Sequence, residues 1–481
     1  MKNKNILIKS LFTLTIAGFL SGCQSELEKI NQNPNEATQA QPDYLLANSI
    51  KSNADVILGS DAYMETTTLF IQHWAKIQYT DVDKYTVSLT NIQNIWTNLY
   101  AQGLNDYAEI IKIGKNTNNP NYQAVGLILQ SWSFQLLTDL YGDIPYSQAL
   151  KIGESITPKY DAQKDVYLGL LNDLKKASDL IDLNGNPIKG DLVYNGSLAK
   201  WKKFANSLRL RIALRIADRD PQTAKTVIAE LAANRSALIA GNDEIAQLIY
   251  LSSPNQNPVA KDRETRDDYR VSKSVIDKLI ELKDPRLPVF ANKTVDPTPN
   301  SYVGVTNGLP ADSASKLGLS RTSKLGDYFT APSSPAVFLS YSEVLFNLAE
   351  AAQRGFIADD AATLYKQAIT ASLRQFKVSE GDITTYLAQP SIAYNASNYK
   401  KSIGDQKWLA LFSQGQEAFA EFRRLDYPAL KPAYAGVLSG QFPVRLTYPT
   451  GEQALNLNNY KAAVANQGAD KLTTKLWFDV N

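Results

Sequence analysis

The chain has almost none of the residues on which metal and thiol chemistry depends. Among 481 residues there is one cysteine, Cys23, and one histidine, His73. Zinc clusters need several Cys or His ligands, so they are excluded. A lone histidine in an amphipathic segment is typical of a structural position, and His73 is not expected to be catalytic. No cofactor is expected; calcium bound by carboxylate oxygens stays open, although no EF-hand spacing is present.

A strong net charge is also absent. Fifty basic residues face 48 acidic ones, which gives a formal charge of +2. Such a balance provides no basic field for nucleic acid, so nucleic acid is not an expected partner. The 44% hydrophobic and 10% aromatic contents are typical of a folded globular protein. After the first 22 residues no apolar run is long enough to span a bilayer.

The N-terminus has the three parts of a secretory signal peptide. A basic head with Lys2, Lys4 and Lys9 precedes an apolar run over 11–20, and the small residues Ser21 and Gly22 follow. The sequence Leu20-Ser21-Gly22-Cys23 resembles a bacterial lipobox. This resemblance implies cleavage before Cys23 and lipidation of its thiol. Exported proteins normally use cysteines in pairs, so a lone one here is best explained as an attachment point.

The pattern predicts a signal peptide over 1–22, a lipid-anchored flexible tether over 23–42 and one large domain over 43–481. Apolar residues recur at helical spacing over about 43–248 and 336–430, which predicts a helical scaffold. Residues 249–335 are rich in proline, serine and asparagine, and helical signal survives there only around 271–282. They predict a loop-rich insertion, and such irregular segments often carry binding function.

Several helices can be outlined individually. Residues 97–115 and 122–142 form two periodic segments that Asn119-Pro120 separates. Asp161 is predicted to cap the next helix. In the helix predicted over 197–218 the arginines are expected on a solvated face.

Further along, 342–355 and 360–376 carry facing small residues, and Gly355 ends the first segment. This is the arrangement of a tetratricopeptide unit without its full consensus. The stretch 406–430 predicts one further helix, which ends before Pro428. The predicted fold class is therefore mostly α, with tetratricopeptide-like antiparallel helical pairs and a loop-rich insertion.

Stretches spread over nearly the whole chain resemble the SusD/RagB family of nutrient-binding lipoproteins, in its SusD-like branch. They are the lipobox followed by Asn33-Pro34-Asn35, LTDLYGDIPYSQAL at 137–150, YDAQKDVYLGLLNDL at 160–174, WKKFANSLRLRIALR at 201–215, SEVLFNLAEAAQRG at 342–355, QKWLALFSQGQEAFAEFRRLDYPAL at 406–430, Pro443-Val444-Arg445 with Tyr448-Pro449, and TTKLWF near the end. Their order and spacing carry the resemblance, because no single motif is decisive.

The resemblance implies a lipoprotein on the cell surface, in the outer membrane of Bacteroidota. It implies a SusC-like TonB-dependent transporter as partner and an oligosaccharide or a peptide as the captured nutrient. It also implies tetratricopeptide-like helical pairs with an irregular ligand-binding region. The shared motifs mostly form the fold, so they transfer no binding residue to this sequence.

Candidate ligand-binding residues follow from the chemistry of sugars. Sugar rings have apolar C–H faces ringed by hydroxyls, so their sites need exposed aromatic rings beside hydrogen-bonding side chains. Tyr79 and Tyr85, flanked by polar residues, are expected to be exposed. Of the six tryptophans, Trp74, Trp96, Trp408 and Trp477 are expected to pack in the core. The insertion adds the candidates Tyr269, Tyr302, Arg321, Tyr328 and Phe329.

Two other function classes compete with a binding protein. A secreted glycoside hydrolase would need two carboxylates about 5–10 Å apart. Asp81 with Asp83, or Asp267 with Asp268, could be imagined in this role, but such closely spaced acids are usually surface charge. A helical-repeat scaffold that binds only protein is the third class, and the aromatic residues of the loops argue mildly against it. No enzymatic activity is expected.

Lipidation at Cys23 predicts a specific effect of removing its thiol. We expect Cys23→Ala, expressed in a bacterium with lipoprotein processing, to move the protein from the membrane fraction to the soluble fraction, because several acyl chains together anchor it. Fractionation followed by mass spectrometry of the mature N-terminus measures both effects. Ser25→Ala is the control, and equal membrane retention of the two variants would contradict lipidation.

Overall fold

The computed structural model describes residues 41–151, 155–296 and 301–480. The signal peptide, Cys23 and nearly all of the tether therefore lie outside the described residues. From Pro42 onward the chain forms one compact unit. Within the described ranges, no helix combines the length and hydropathy needed to cross a bilayer.

The architecture is mostly helical, as the sequence predicts. The α-helices are α1 (Pro42–Leu58), α2 (Thr68–Phe70), α3 (Leu89–Thr97), α4 (Asn105–Asn116), α5 (Pro120–Tyr141), α6 (Gln163–Leu180), α7 (Leu198–Arg215), α8 (Pro221–Ala232), α9 (Pro258–Asp262), α10 (Lys273–Glu281), α11 (Leu287–Phe290), α12 (Ala311–Leu317), α13 (Asp327–Thr330), α14 (Tyr341–Gln353), α15 (Ala361–Gln375), α16 (Glu380–Leu387), α17 (Tyr399–Ala410), α18 (Gly415–Leu425), α19 (Thr450–Leu455) and α20 (Leu457–Gln467). Two π-helical stretches, Ser60–Thr67 and Asn98–Leu104, lead into α2 and α4.

Short strands and 3₁₀ turns complete the elements. The strands are β1 (Trp74–Lys76), β2 (Ile144–Pro145), β3 (Tyr160–Asp161), β4 (Ala246–Ile249), β5 (Tyr269–Val271) and β6 (Pro335–Leu339). They form three antiparallel pairs, β1 with β5, β2 with β3 and β4 with β6. The 3₁₀ turns are Val82–Lys84, Arg235–Ala237, Asn242–Glu244, Leu319–Arg321, Pro390–Ile392 and Ala396–Asn398.

Consecutive helices pack as tetratricopeptide-like pairs, which confirms the predicted fold class. Helix α4 packs on α5, α6 on α7 and α14 on α15. The short connections within the first and the last of these pairs make their partners antiparallel. Local signals set the ends. Asn119 caps α5 by accepting a hydrogen bond from the Asn121 N–H at 3.1 Å. Gly355, at φ +68°, follows the end of α14, where a left-handed residue suits glycine.

Two predicted helix boundaries are wrong. Residues 406–430 belong to two helices, α17 and α18, because the chain turns at Ser413, whose φ is +64°. Gly415 then starts α18 against the N-terminal half of the chain, where a Cβ would lie 2.5 Å from Thr67 Oγ1. Asp161 does not cap α6. Its carboxylate instead accepts a hydrogen bond from the Ser147 N–H. The Gln163 N–H at the start of α6 donates to the Asp143 carboxylate, at 2.8 Å.

The insertion leaves and rejoins the helical scaffold at one place. Strand β4 pairs with β6, so the segment between them starts and ends side by side. Within it, α10 is the predicted helix, and the short helices α9, α11, α12 and α13 were not predicted. Strand β5 pairs with β1, which binds the insertion to the N-terminal half of the chain.

The arginines of α7 are buried, so the predicted solvated face is wrong. Arg211 donates two hydrogen bonds to Glu343 of α14, at 2.6 and 2.7 Å. One turn later, Arg215 lies 2.6 Å from Glu417 and 3.1 Å from Glu421, both of α18. Apolar periodicity gave no signal for Arg211 and Arg215, because the carboxylates that bind them most closely lie more than 130 residues away in the sequence.

A second set of buried ion pairs continues this network. Arg424 of α18 binds both carboxylate oxygens of Glu350 of α14, each at 2.6 Å, and also contacts Glu421. Lys407 of α17 lies 2.6 Å from Glu421, and Arg354 donates to Glu350 at 2.8 Å. We call the charged residues of these two sets the ionic core. It joins α7, α14, α17 and α18.

The ionic core predicts a large effect of neutralising one of its members. Glu350→Gln removes a fully buried carboxylate and leaves the Arg424 guanidinium with an incomplete set of acceptors. We expect a loss of about 3–5 kcal/mol in the free energy of unfolding at pH 7. Glu380→Gln is the matched control, because Glu380 binds Arg374 through two oxygens but is exposed to solvent. Urea denaturation that gave equal midpoints for the two variants would contradict the role of the ionic core.

The same residue predicts how stability depends on pH. Burial alone would raise the pKa of Glu350, but Arg424 and Arg354 lower it to about 2, from 4.5. A lowered folded-state pKa stabilises the protein above pH 4.5, and this contribution disappears as the pH falls from 4.5 to 2. The shift corresponds to about 3 kcal/mol. The stability gap between wild type and Glu350→Gln should therefore narrow over this range, and a gap independent of pH would contradict the assignment.

Candidate functional site

The best candidate site lies where β1 and β5 pair. Their register places Lys76 opposite Tyr269, and the Ile77 N–H donates to the Asp268 carbonyl at 2.9 Å. The chain beyond β1 and the chain before β5 therefore run side by side. We call the surface that they form, together with the buried residues directly beneath it, the Tyr79 face. Its residues are Lys76, Tyr79, Asp262, Arg266, Asp268 and Tyr269.

Aromatic rings and charges alternate across the Tyr79 face. The Lys76 ammonium lies 3.9 Å from the centre of the Tyr269 ring and forms a buried ion pair with Asp268. Asp268 also accepts from Arg266 at 3.4 Å, and the Arg266 guanidinium lies 5.0 Å from the centre of the Tyr79 ring. The Asp268 carboxylate raises the pKa of Arg266, which therefore keeps its charge. The buried pair fixes the guanidinium that borders the exposed ring.

Tyr79 is the exposed end of this series. Its relative exposure is 69%, whereas Tyr269 at the other end is 7% exposed. Its φ is +53°, which is an outlier for a bulky residue and costs about 1–2 kcal/mol. A large aromatic residue held in solvent on a strained backbone is typical of a functional position.

Asp83 fixes the loop that carries Tyr79. Its buried carboxylate accepts hydrogen bonds from the Lys76 N–H at 3.1 Å, the Gly308 N–H at 2.9 Å and Asn307 Nδ2 at 2.7 Å. Burial raises the pKa of Asp83 to about 6, although these donors and the Lys76 charge oppose the rise. The loop after β1 is thereby tied to the insertion.

Acceptor atoms without a protein partner lie around the Tyr79 face. In the described part of the chain, Thr80 Oγ1, Asp268 Oδ1 and Asp262 Oδ2 have no hydrogen-bond partner. Burial, together with the charges of Asp268 and Glu65, raises the pKa of Asp262. No group of three or more His, Cys, Asp or Glu side chains in the described ranges is arranged to hold a metal ion. These three atoms are buried, so the charged hydrogen-bonding group that the face offers to a polar ligand is the exposed Arg266 guanidinium.

The other predicted residues do not join Tyr79 on this surface, apart from Tyr269, which lies beneath it. Tyr85 is 2% exposed and its hydroxyl accepts from the Ala433 N–H at 2.8 Å. The expectation that Tyr85 is exposed is wrong, because its ring is buried between Phe70 and Phe442.

Tyr302 and Arg321 are placed elsewhere in the insertion. Tyr302 is half-buried against the core, and burial raises its pKa. Arg321 is exposed and donates to the Lys316 carbonyl at 2.7 Å, at the end of α12. Neither contacts the residues of the Tyr79 face in the hydrogen bonds, ion pairs and ring contacts of the described chain.

Tyr328 and Phe329 belong to an aromatic cluster that binds the insertion to the scaffold. Phe329 is buried, with ring centres 5.6 Å from Phe290 and 5.0 Å from Phe412. Tyr328 packs on Phe376 at 5.3 Å. The cavity beside them has a volume of about 20 Å³, enough for about one water molecule and too small for a sugar ring.

Neither His73 nor the paired acids provide a free catalytic group. Burial lowers the pKa of His73 to about 3, and its Nε2 lies 3.0 Å from the Trp408 carbonyl. Asp81 pairs with Lys84 at 2.7 Å. Asp267 pairs with Lys324 at 2.9 Å and with an arginine at 3.1 Å. Trp74, Trp96 and Trp408 are buried, as predicted, and Trp477 is half-buried against the core.

Sequence reasoning missed a further exposed tyrosine, Tyr434. Tyr434 is 73% exposed and lines a groove of about 510 Å³. The signal is two prolines, Pro428 and Pro432, that precede Tyr434 just after helix α18. The sequence pattern predicts a helix over 406–430 and gives no prediction for 431–441.

Comparison with solved structures finds many chains of the same fold. A chitin-binding protein is 31% identical, with a TM-score of 0.81 over 92% of this chain and 100% of that one. A chitin-binding SusD homologue from Flavobacterium johnsoniae is 25% identical, with a TM-score of 0.81 over 92% and 98%. A SusD homologue from Bacteroides uniformis, at 24% identity, has a TM-score of 0.81 over 91% and 100%, and it supports the fold alone. Comparison with curated protein sequences finds no significant match.

A family model matches most of the chain. The SusD-like model, described as starch-binding and associating with the outer membrane, covers residues 34–449. The match includes the ionic core, the insertion and the Tyr79 face. It agrees with the helical pairs, the exposed aromatic ring and the resemblance in the sequence. The chain therefore belongs to the SusD-like family.

Proposed function

We propose that this protein captures an oligosaccharide at the Tyr79 face and releases it unchanged. The observation that carries the proposal is the exposed Tyr79 ring, held on a strained backbone beside a guanidinium that a buried ion pair fixes. A sugar ring can stack its C–H face on the free side of the tyrosine, while Arg266 donates hydrogen bonds to ring substituents.

Preorganisation suits this role. Asp83 fixes the loop of Tyr79, and Asp268 fixes Arg266, so neither side chain must be ordered when ligand arrives. Avoiding this ordering cost of about 0.5–1.5 kcal/mol per side chain favours binding. One stacked ring with a few hydrogen bonds gives moderate affinity, which allows a receptor to release its cargo.

Chains of β-linked N-acetylglucosamine are the ligand class that we favour. The 31% identical structure is that of a chitin-binding protein, and a 25% identical homologue is also chitin-binding. The acetamide group offers a carbonyl to Arg266 and an N–H to acceptors near the ring, such as Asp262. Starch oligosaccharides, to which the family description refers, and peptides are the alternatives that the binding assay must compare.

A glycoside hydrolase is not favoured by the environment of the carboxylates. Hydrolysis by two carboxyl groups needs one free acid and one free base or nucleophile on either side of the scissile bond. Asp83 and Asp268 are buried, and Asp81 and Asp267 are paired with lysine. A protein-only scaffold is also not favoured, because it gives no reason to expose Tyr79 on a strained backbone.

Cell-surface attachment and delivery to a transporter complete the proposal. The lipobox at Cys23 would anchor the mature protein in the outer membrane, and the family description also associates such chains with that membrane. We infer that a SusC-like TonB-dependent transporter receives the oligosaccharide, because a surface receptor that does not degrade its ligand needs a partner that imports it.

Removing the Tyr79 ring should weaken glycan binding. We expect the mature protein lacking Cys23 to bind chitohexaose in isothermal titration calorimetry. Tyr79→Ala should weaken binding at the Tyr79 face at least tenfold, which corresponds to about 1.4 kcal/mol of binding free energy. Arg266→Ala should weaken it as well, through the lost donor. Maltohexaose and a mixed hexapeptide are titrated in parallel.

Tyr44→Ala is the matched control, since Tyr44 is 76% exposed but lies on α1. Chromatography of the recovered ligand tests whether it stays intact. Equal affinities of Tyr79→Ala and Tyr44→Ala would place the ligand elsewhere, and degradation of the ligand by repurified protein would contradict a non-catalytic receptor.

A further inference from the structure

The groove beside Tyr434 has the size of a ligand site. Its volume of about 510 Å³ is within the usual range for small-molecule pockets. Helix α10 forms one wall, α17 forms another, and the segment 428–434 forms the third. Gln72 and Asn307 lie at its base. We call this cavity the Tyr434 groove.

The wall that carries Tyr434 is held rigidly. Gln72 Nε2 donates to the Lys431 carbonyl at 2.5 Å, and the Tyr434 N–H donates to the Asn307 carbonyl at 2.9 Å. The Ala433 N–H donates to the buried Tyr85 hydroxyl at 2.8 Å. Asn307 is itself fixed by Asp83 and by Ser272. Tyr434 is therefore an exposed ring on a backbone that cannot withdraw it from solvent, which is what a stacking surface requires.

Ion pairs line the walls and indicate the charge of the ligand. The pairs are Lys273–Asp277 at 2.7 Å, Lys278–Glu281 at 3.1 Å and Lys401–Asp405. Each ammonium has three donors and each carboxylate about four acceptor positions, so every pair keeps unused hydrogen-bonding capacity. At each of these three pairs a charged ligand would have to compete with an existing partner; Lys431, which also lines the groove, lies outside the pairs. Hydroxyl groups, which both donate and accept, can bind without breaking a pair.

We propose that the Tyr434 groove is a second carbohydrate-binding site, for an uncharged oligosaccharide that stacks on Tyr434 and bonds to the paired lysines and carboxylates. The inference rests on the proposed function, because it assumes that the protein's ligand is a glycan. No residue that lines the groove belongs to the Tyr79 face. The two sites can therefore be filled independently, and a long glycan that reached both would gain avidity.

Stoichiometry tests the second site. We expect wild-type protein to bind two molecules of chitohexaose per chain in isothermal titration calorimetry. Tyr434→Ala should leave only the Tyr79-face site, and Tyr79→Ala should leave only the groove, so each variant binds one. The double variant should lose binding at least tenfold at both sites, and Tyr44→Ala should still bind two. Thermal unfolding confirms that each variant is folded.

A variant that fills the groove tests the second site without changing Tyr434. Ala429 is exposed and lines the groove, so Ala429→Trp should lower the stoichiometry to one with Tyr434 intact. Affinity for the groove should change less than threefold between 50 and 500 mM NaCl. A steep loss of affinity as salt is added, or a preference for a hexamer of galacturonic acid, would overturn the proposal that the ligand is uncharged. Either result would indicate that Lys431 binds an anionic ligand.

The outcomes separate the two proposals. One bound molecule per chain, abolished by Tyr79→Ala and unaffected by Tyr434→Ala and Ala429→Trp, would overturn the groove and leave the proposed function standing. Binding abolished by the groove variants but unaffected by Tyr79→Ala would support the groove and overturn the Tyr79 face. Loss of neither site in any variant would overturn both assignments.

Discussion

The ionic core is the constraint on which the rest of the structure depends. Arg211, Arg215 and Arg424 are buried where three helices from distant parts of the chain meet, and each needs carboxylates from another helix. An apolar interface tolerates a helix that slides or rotates by a residue, because one aliphatic contact replaces another. A buried guanidinium tolerates neither, since an unpaired charge costs several kcal/mol. The network therefore fixes the relative register of α7, α14 and α18 more strictly than apolar packing alone.

This register extends to the candidate site through one hydrogen bond. Arg211 Nη2 donates to the Phe338 carbonyl of β6 at 2.8 Å, so the ionic core holds the strand at which the insertion ends. Strand β6 pairs with β4, which fixes both ends of the insertion, and β5 then pairs with β1. The chain beyond β1 carries Tyr79, and the chain before β5 carries Arg266. The separation of a ring and a guanidinium at the surface thus depends on helices that carry no residue of the Tyr79 face.

Local patterns in the sequence predict the helices but not the environment of single residues. Periodicity and caps outlined the pairs α4–α5 and α14–α15, and the composition of 249–335 outlined the insertion. The polar neighbours of Tyr79 and Tyr85 are alike, yet only Tyr79 is exposed, because Phe442 and the segment around Ala433, some 350 residues later, cover Tyr85. Arg211 and Arg215 look like surface cations for the same reason. Their partners are set by tertiary structure, which no short window of sequence contains.

Tyr79 and Tyr434 both depend on carboxylates that are buried away from solvent. Asp83 and Asp268, which sequence alone could have assigned to catalysis, are engaged by backbone N–H groups, Asn307 or Lys76, and thereby hold Tyr79 and Arg266 in place. Asn307, fixed by Asp83, in turn accepts a hydrogen bond from the Tyr434 N–H at its carbonyl oxygen. One buried carboxylate therefore supports two surfaces, the Tyr79 face and the wall of the Tyr434 groove. A carboxylate buried from solvent cannot reach a substrate but can serve as an anchor, and this is the physical reason why the geometry favours binding over chemistry.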